Sequence, residues 1–158
     1  MLLRRALFLI LASLGLTVTA PATAQDREVP YWATLRASEV NMRVGPSEAF
    51  PIAWVYRRQG LPVKVVRVRQ GWRLVEDPDG ERGWIVARLL NPARGVIVTG
   101  EGLVSLHEDP DGDAKVLWRA EPGVVGSLGS CEDDWCRVDI DGRKGWVRAE
   151  RLWGAGEP

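Results

Sequence analysis

Three pairs of tryptophans fall at nearly one offset, and that spacing constrains the fold more than any composition value. Trp54 and Trp118 are 64 residues apart, Trp72 and Trp135 are 63 apart, and Trp84 and Trp146 are 62 apart. Neighbouring residues keep the register. Val40 to Ser47 (VNMRVGPS) lies over Val104 to Asp111 (VSLHEDPD), Gly60-Leu61 over Gly123-Val124, Gly83-Trp84-Ile85 over Gly145-Trp146-Val147, and Leu90 over Leu152. A unit of about 62 residues therefore occurs twice, joined near Asn91-Pro92-Ala93. A unit that short buries only about 60% of its unfolded surface, so it needs an architecture that leaves few strand edges open.

Within each copy the local signals are short strands and tight turns. Val63-Lys64-Val65-Val66-Arg67-Val68 is rich in β-branched residues, and Gln70-Gly71 breaks it before Trp72-Arg73-Leu74-Val75. Asp77-Pro78-Asp79-Gly80 reads as a turn, because proline presets φ and glycine accepts a positive one. It leads to the hairpin partner Gly83-Trp84-Ile85-Val86, and the second copy repeats the scheme around Asp141-Gly142. No segment of the repeats keeps a helical spacing over three turns; Ala87 to Leu90 suits one turn of 3₁₀ helix. Strands of this length at regular spacing predict an all-β chain of two small barrels.

The first 24 residues read as a cleaved export signal. Arg4 and Arg5 precede an apolar run from Ala6 to Thr19, and Ala22-Thr23-Ala24 supplies small residues at the expected cut after Ala24. The run is short of the roughly 20 residues that span a bilayer, so stable membrane insertion is not expected. The product is expected to be periplasmic or secreted. Without residues 1–24 the chain carries 19 basic and 21 acidic residues, which offers no basic surface for nucleic acid. In an oxidising compartment Cys131 and Cys136 are expected to pair across a hairpin loop of Glu132-Asp133-Asp134-Trp135.

The run VNMRVGPS, an apolar strand, a Gly-Trp strand and a Gly-Trp-Ile or Gly-Trp-Val close together resemble the bacterial SH3 domain, which occurs in tandem in exported proteins. The resemblance spans Thr34 to Leu90 and Val96 to Trp153. It implies five- to six-stranded SH3-like barrels without catalysis, binding cell-wall (peptidoglycan) peptides or segments of envelope proteins. The second copy has His107-Glu108-Asp109 where the family pattern has Arg-x-Gly. The organisation expected is a signal peptide at 1–24, a linker at 25–33, barrels at 34–91 and 92–154, and a tail at 155–158.

Four side chains are candidates for ligand contact. Trp72 and Trp135 open strands after polar turns, and the wider SH3 pattern would make them groove tryptophans; the alternative is half-buried packing. Trp54, like Trp118, could line a groove or cap one end of its barrel, whereas Trp84 and Trp146 suit core packing. Arg43, in the Arg-x-Gly-Pro loop, could grip a peptide carboxylate with both arms or remain a solvated cation. Asp109, Asp111 and Asp113 alternate as in a calcium loop, but Ala114 and Ala120 stand where the glycine and the bidentate glutamate are needed, so no metal is expected. His107 is the only histidine, and neither a Gly-x-Ser-x-Gly elbow nor a His-Glu-x-x-His helix occurs. The chain is therefore expected to act by binding, without a cofactor. An open aromatic groove on the first copy would favour a peptide-binding module. Burial of Trp54 and Trp72 between the copies would favour a structural or assembly subunit of an envelope complex. A third possibility is an accessory that targets a separate cell-wall hydrolase.

Overall fold

The computed structural model describes residues 27–158, so the expected signal peptide lies outside the described residues. Seven strands form the first repeat: β1 (Tyr31–Leu35), β2 (Val40–Arg43), β3 (Ile52–Tyr56), β4 (Pro62–Arg69), β5 (Trp72–Glu76), β6 (Arg82–Val86) and β7 (Leu90–Asn91). Seven form the second: β8 (Gly95–Val98), β9 (Val104–His107), β10 (Val116–Ala120), β11 (Val125–Glu132), β12 (Trp135–Ile140), β13 (Arg143–Arg148) and β14 (Leu152–Trp153). The sheets have orders β3-β2-β6-β5-β4-β1-β7 and β10-β9-β13-β12-β11-β8-β14, the same order element for element. All pairings are antiparallel. The strand count exceeds the expected five or six partly because a 3₁₀ turn at Ala87–Leu89 releases the two-residue β7, and another at Ala149–Arg151 releases β14.

Each sheet wraps a core of its own. Val63, Val65, Val75 and Ile85 are fully buried in the first, and Val96 and Val147 in the second. The doubled valine of β4 is explained by a bulge: Val65 faces Val75 and Arg67 faces Leu74, which leaves Val66 without an opposite residue. The bulge shifts the side-chain parity, so Val63 and Val65 point inward before it and Val68 packs on the same core after it. The glycine of each Gly-Trp pair is required by close approach. A Cβ on Gly83 would collide with the Met42 side chain and come within 3.0 Å of the Arg43 carbonyl oxygen, and one on Gly145 would lie 2.7 Å from Leu106 Cβ. The absence of that atom lets β6 cross β2, and β13 cross β9, where each barrel curls on itself.

Strand β11, with the sequence VGSLGSCE, is mostly exposed. A disulfide between Cys131 and Cys136 ties this strand to β12 at directly opposed positions, the places that Val68 and Arg73 hold in the first repeat. Cys136 itself is buried in the second core.

The repeats are joined by packing as well as by chain. Trp32 on β1 donates from Nε1 to the Gly156 carbonyl oxygen at 2.7 Å and meets the Trp153 ring edge-on, with centroids 4.6 Å apart. Arg94 Nη2 reaches the carbonyl oxygens of Gly154, Ala155 and Gly156, each at 2.8 Å. Arg58 donates to the Gly123 carbonyl, and Ile97 and Val125 pack against the first core. Most of β1 thus lies in the stretch read as linker, and residues 155 and 156 of the expected tail form part of the junction.

Candidate functional site

Strand β3 stands at the edge of its sheet with only β2 beside it, and its first residues are exposed. Trp54 projects there with 59% of its surface open. It forms one wall of a cavity of about 560 Å³ whose other lining residues include Met42, Tyr56, Leu61 and Ile97, with Asp77, Asp79, Glu81 and Arg82 along the β5–β6 turn. The buried members give an apolar floor, and Ile97 is contributed by the second repeat.

One buried carboxylate shapes the acidic side of this cavity. Asp77 Oδ1 accepts from the backbone N–H groups of Asp79 at 3.0 Å and Glu81 at 2.9 Å, while Oδ2 accepts from the Tyr56 hydroxyl at 2.8 Å. The turn Asp77-Pro78-Asp79-Gly80 closes with Gly80 N–H donating to the Asp77 carbonyl oxygen. Burial pushes the Tyr56 phenol well above the ordinary tyrosine range, and donation to Asp77 acts in the same direction. The pair belongs to the first repeat alone. Ala120 and Ile140 stand in its place in the second, Ala120 within the second core and Ile140 packed against it. Beneath the turn, Glu76 lies 2.6 Å from Lys64 Nζ and 2.5 Å from Arg82 Nη2. Hydrogen bonds from Lys64 first and Arg82 second hold its carboxyl below the usual range.

The four residues proposed from sequence are not brought together. Trp54 alone lines this cavity. Trp72 is half-buried on β5, opposite Val86 and Arg69. Arg43 donates from Nη1 to the Phe50 carbonyl oxygen at 2.7 Å, which ties its own loop together. Trp135, the counterpart of Trp72 in the second repeat, is only 6% exposed. The Arg148 guanidinium carbon lies 4.5 Å from its ring centre, and His107 meets the ring edge-on at 5.2 Å. Both coverings follow from the pairing of β12 with β13 and of β13 with β9, which carries Arg148 and His107 to the same patch. His107 is fixed by Nδ1 at 2.9 Å from the Ala114 carbonyl oxygen, an acceptor that makes Nδ1 the protonated nitrogen. Trp84 and Trp146 are buried, in line with packing.

Sequence reasoning missed Tyr56, Asp77 and the junction tryptophans. The signal for Trp32 and Trp153 was present: they are the two tryptophans without a partner at the repeat offset. A residue serving the contact between copies has no reason to recur in both. A second cleft, of about 450 Å³, lies between the repeats and is lined by polar side chains such as Arg36, Gln59, Asn91 and Asp141. Among the described residues no group of three or more His, Cys, Asp and Glu is placed to hold a metal. None of the described helices is long and apolar enough to cross a membrane.

The family profile described as "Bacterial SH3 domain" matches residues 36–92 and again 100–154. Among solved structures, NlpC1 from Trichomonas vaginalis is similar at 12% identity and a TM-score of 0.36, with 82% of this chain and 47% of that one covered. NlpC2 from the same organism is similar at 10% identity and a TM-score of 0.36, with 80% and 49% covered. The chain spans about half the length of these two proteins. No curated protein matches it.

Proposed function

The chain belongs to the bacterial SH3 domain family over both repeats, a family of binding domains, and from that premise we propose a non-catalytic binding protein of the cell envelope whose first repeat holds a peptide. The observation that carries this reading is Trp54, an indole 59% open on the wall of a cavity with an apolar floor and a hydrogen-bonded acidic turn. A flat apolar ring with one polar edge suits a peptide backbone and side chain together, and exposed aromatics over a preformed hollow are typical of binding sites. The ligand class is a cell-wall stem peptide or an extended segment of an envelope protein. The leader at 1–24 would deliver the chain to that compartment, and the disulfide is at home there.

Neither Trp54 nor Trp72 takes part in the contacts that join the repeats at Trp32, Trp153 and Arg58. That arrangement favours binding over the reading in which the aromatic faces are consumed in assembly. The test is co-sedimentation of the protein with purified sacculi. The expected result is sedimentation of the wild type and of Trp72→Ala and its loss in Trp54→Ala, with all three folded by circular dichroism. Failure of the wild type to sediment would exclude the cell wall and leave a protein segment as ligand. Sedimentation of Trp54→Ala at the wild-type level would overturn the site.

A further inference from the structure

The internal duplication points to what the first cavity holds, an inference that rests on reading this cavity as a peptide site. Trp54 on β3 and Trp118 on β10 are equivalent residues on equivalent edge strands, and both are exposed, at 59% and 45%. In the second repeat the indole already has a partner: the guanidinium carbon of Arg143 lies 5.5 Å from the Trp118 ring centre. A cation at that distance over an indole face is an attractive contact. Counting back from the matched Gly-Trp pairs, the first repeat has Glu81 where the second has Arg143. The next position carries Arg82 in the first repeat and Lys144 in the second. Arg82 does not replace the missing cation, because Nε and Nη2 are bound to Glu76 at 2.7 and 2.5 Å.

Among the described residues the first repeat therefore keeps the aromatic face without a cation stacked over it, and it sets the Asp79 and Glu81 carboxylates on the wall of the same cavity. Among the described residues neither carboxylate is held in an ion pair. We propose that this cavity takes the cationic side chain of a peptide, an ammonium or guanidinium seated on Trp54 with Asp79 and Glu81 as counter-charges. The ligand would occupy the place that Arg143 fills from within the chain in the second repeat. It follows that the second repeat is closed to such a ligand at Trp118 and that the two faces are not interchangeable.

The experiment is a titration of the ¹⁵N-labelled whole chain with acetyl-Ala-Lys-Ala-amide and acetyl-Ala-Leu-Ala-amide, followed through the amide signals of residues 77–82 and the Trp54 indole. The lysine peptide should bind about fivefold more tightly, the order of one cation–π contact, and the preference should shrink as salt is raised. Glu81→Gln should narrow the preference without abolishing it, because Trp54 and Asp79 remain, and an unchanged ratio would remove Glu81 from the site. Glu81→Arg should abolish binding of the lysine peptide with the fold intact, because the new guanidinium takes the seat on Trp54. Equal or tighter binding of the leucine peptide at the same amides would overturn the cationic class and leave the peptide site standing. No movement of these amides with either peptide would overturn the peptide site itself.

Discussion

The Asp77 carboxylate offers the sharpest test of how the first repeat builds its cavity. It is 6% exposed and takes three hydrogen bonds, from the Tyr56 hydroxyl at 2.8 Å and from the N–H groups of Asp79 and Glu81 at 3.0 and 2.9 Å. Tyr56→Phe deletes one bond to a charged group, worth about 2 kcal/mol. Asp77→Ala strands the buried hydroxyl and two loop N–H groups, and about 3–4 kcal/mol is expected. The two losses share one bond, so the double variant should cost about 2 kcal/mol less than the sum of the singles. Urea denaturation at neutral pH, followed by tryptophan emission, reads all three values. Additivity within about 0.5 kcal/mol would refute the account, since it would mean that the hydroxyl and the carboxylate stabilise the barrel independently. The pH dependence has a definite sign. Because the folded phenol is held above its ordinary value of 10.0, the pair stabilises fully below that pH. As pH rises past it the unfolded chain ionises while the folded one stays protonated, so stability falls. Tyr56→Phe should lose that alkaline decline.

Three further outcomes follow from other parts of the molecule. Reducing the Cys131–Cys136 bond, or replacing both residues with serine, should cost about 2 kcal/mol, the value for a six-residue ring; the loss should appear first in hydrogen exchange along β11, and no change there would contradict its role as a tie. Gly145→Ala should destabilise by about 1–3 kcal/mol, and more than Gly83→Ala, because the obstruction at Gly145 is Leu106 Cβ whereas at Gly83 it includes the flexible end of Met42; equal melting temperatures would contradict the crossing geometry. The stability advantage of the wild type over Glu76→Gln should be present at neutral pH, shrink as pH falls below 4.5, and vanish below the depressed folded value, as paired melting curves would read. An advantage that persists in acid would mean that Lys64 and Arg82 are not its source.

The repeat, the barrel class, the hairpin turns and the cysteine pair were legible because each rests on local chemistry: glycine where two strands cross, proline and glycine in a turn, valines alternating along a strand. The site was legible only in part. Trp54 and Trp135 are both strand tryptophans, and their fates diverge through the neighbours that the fold brings to each. Arg148 and His107 cover Trp135, while nothing in the first repeat covers Trp54 to that degree. The Tyr56–Asp77 bond spans 21 residues and becomes visible only once β3 and the β5–β6 turn meet at the cavity. The bulge at Val66 was written in the doubled valine, a break in alternation that reads as noise until the register is known. The substitution of Glu81 for Arg143 gains meaning only when Arg143 is found lying over Trp118.

The most direct test of the central claim is chemical-shift mapping of the labelled protein with soluble stem peptides released from purified sacculi. The account predicts shifts centred on the Trp54 cavity, at Trp54, residues 77–82 and Ile97, with the Trp118 face unchanged. Shifts centred on Trp118 or on the junction at Trp32 and Trp153, with the Trp54 cavity silent, would contradict it.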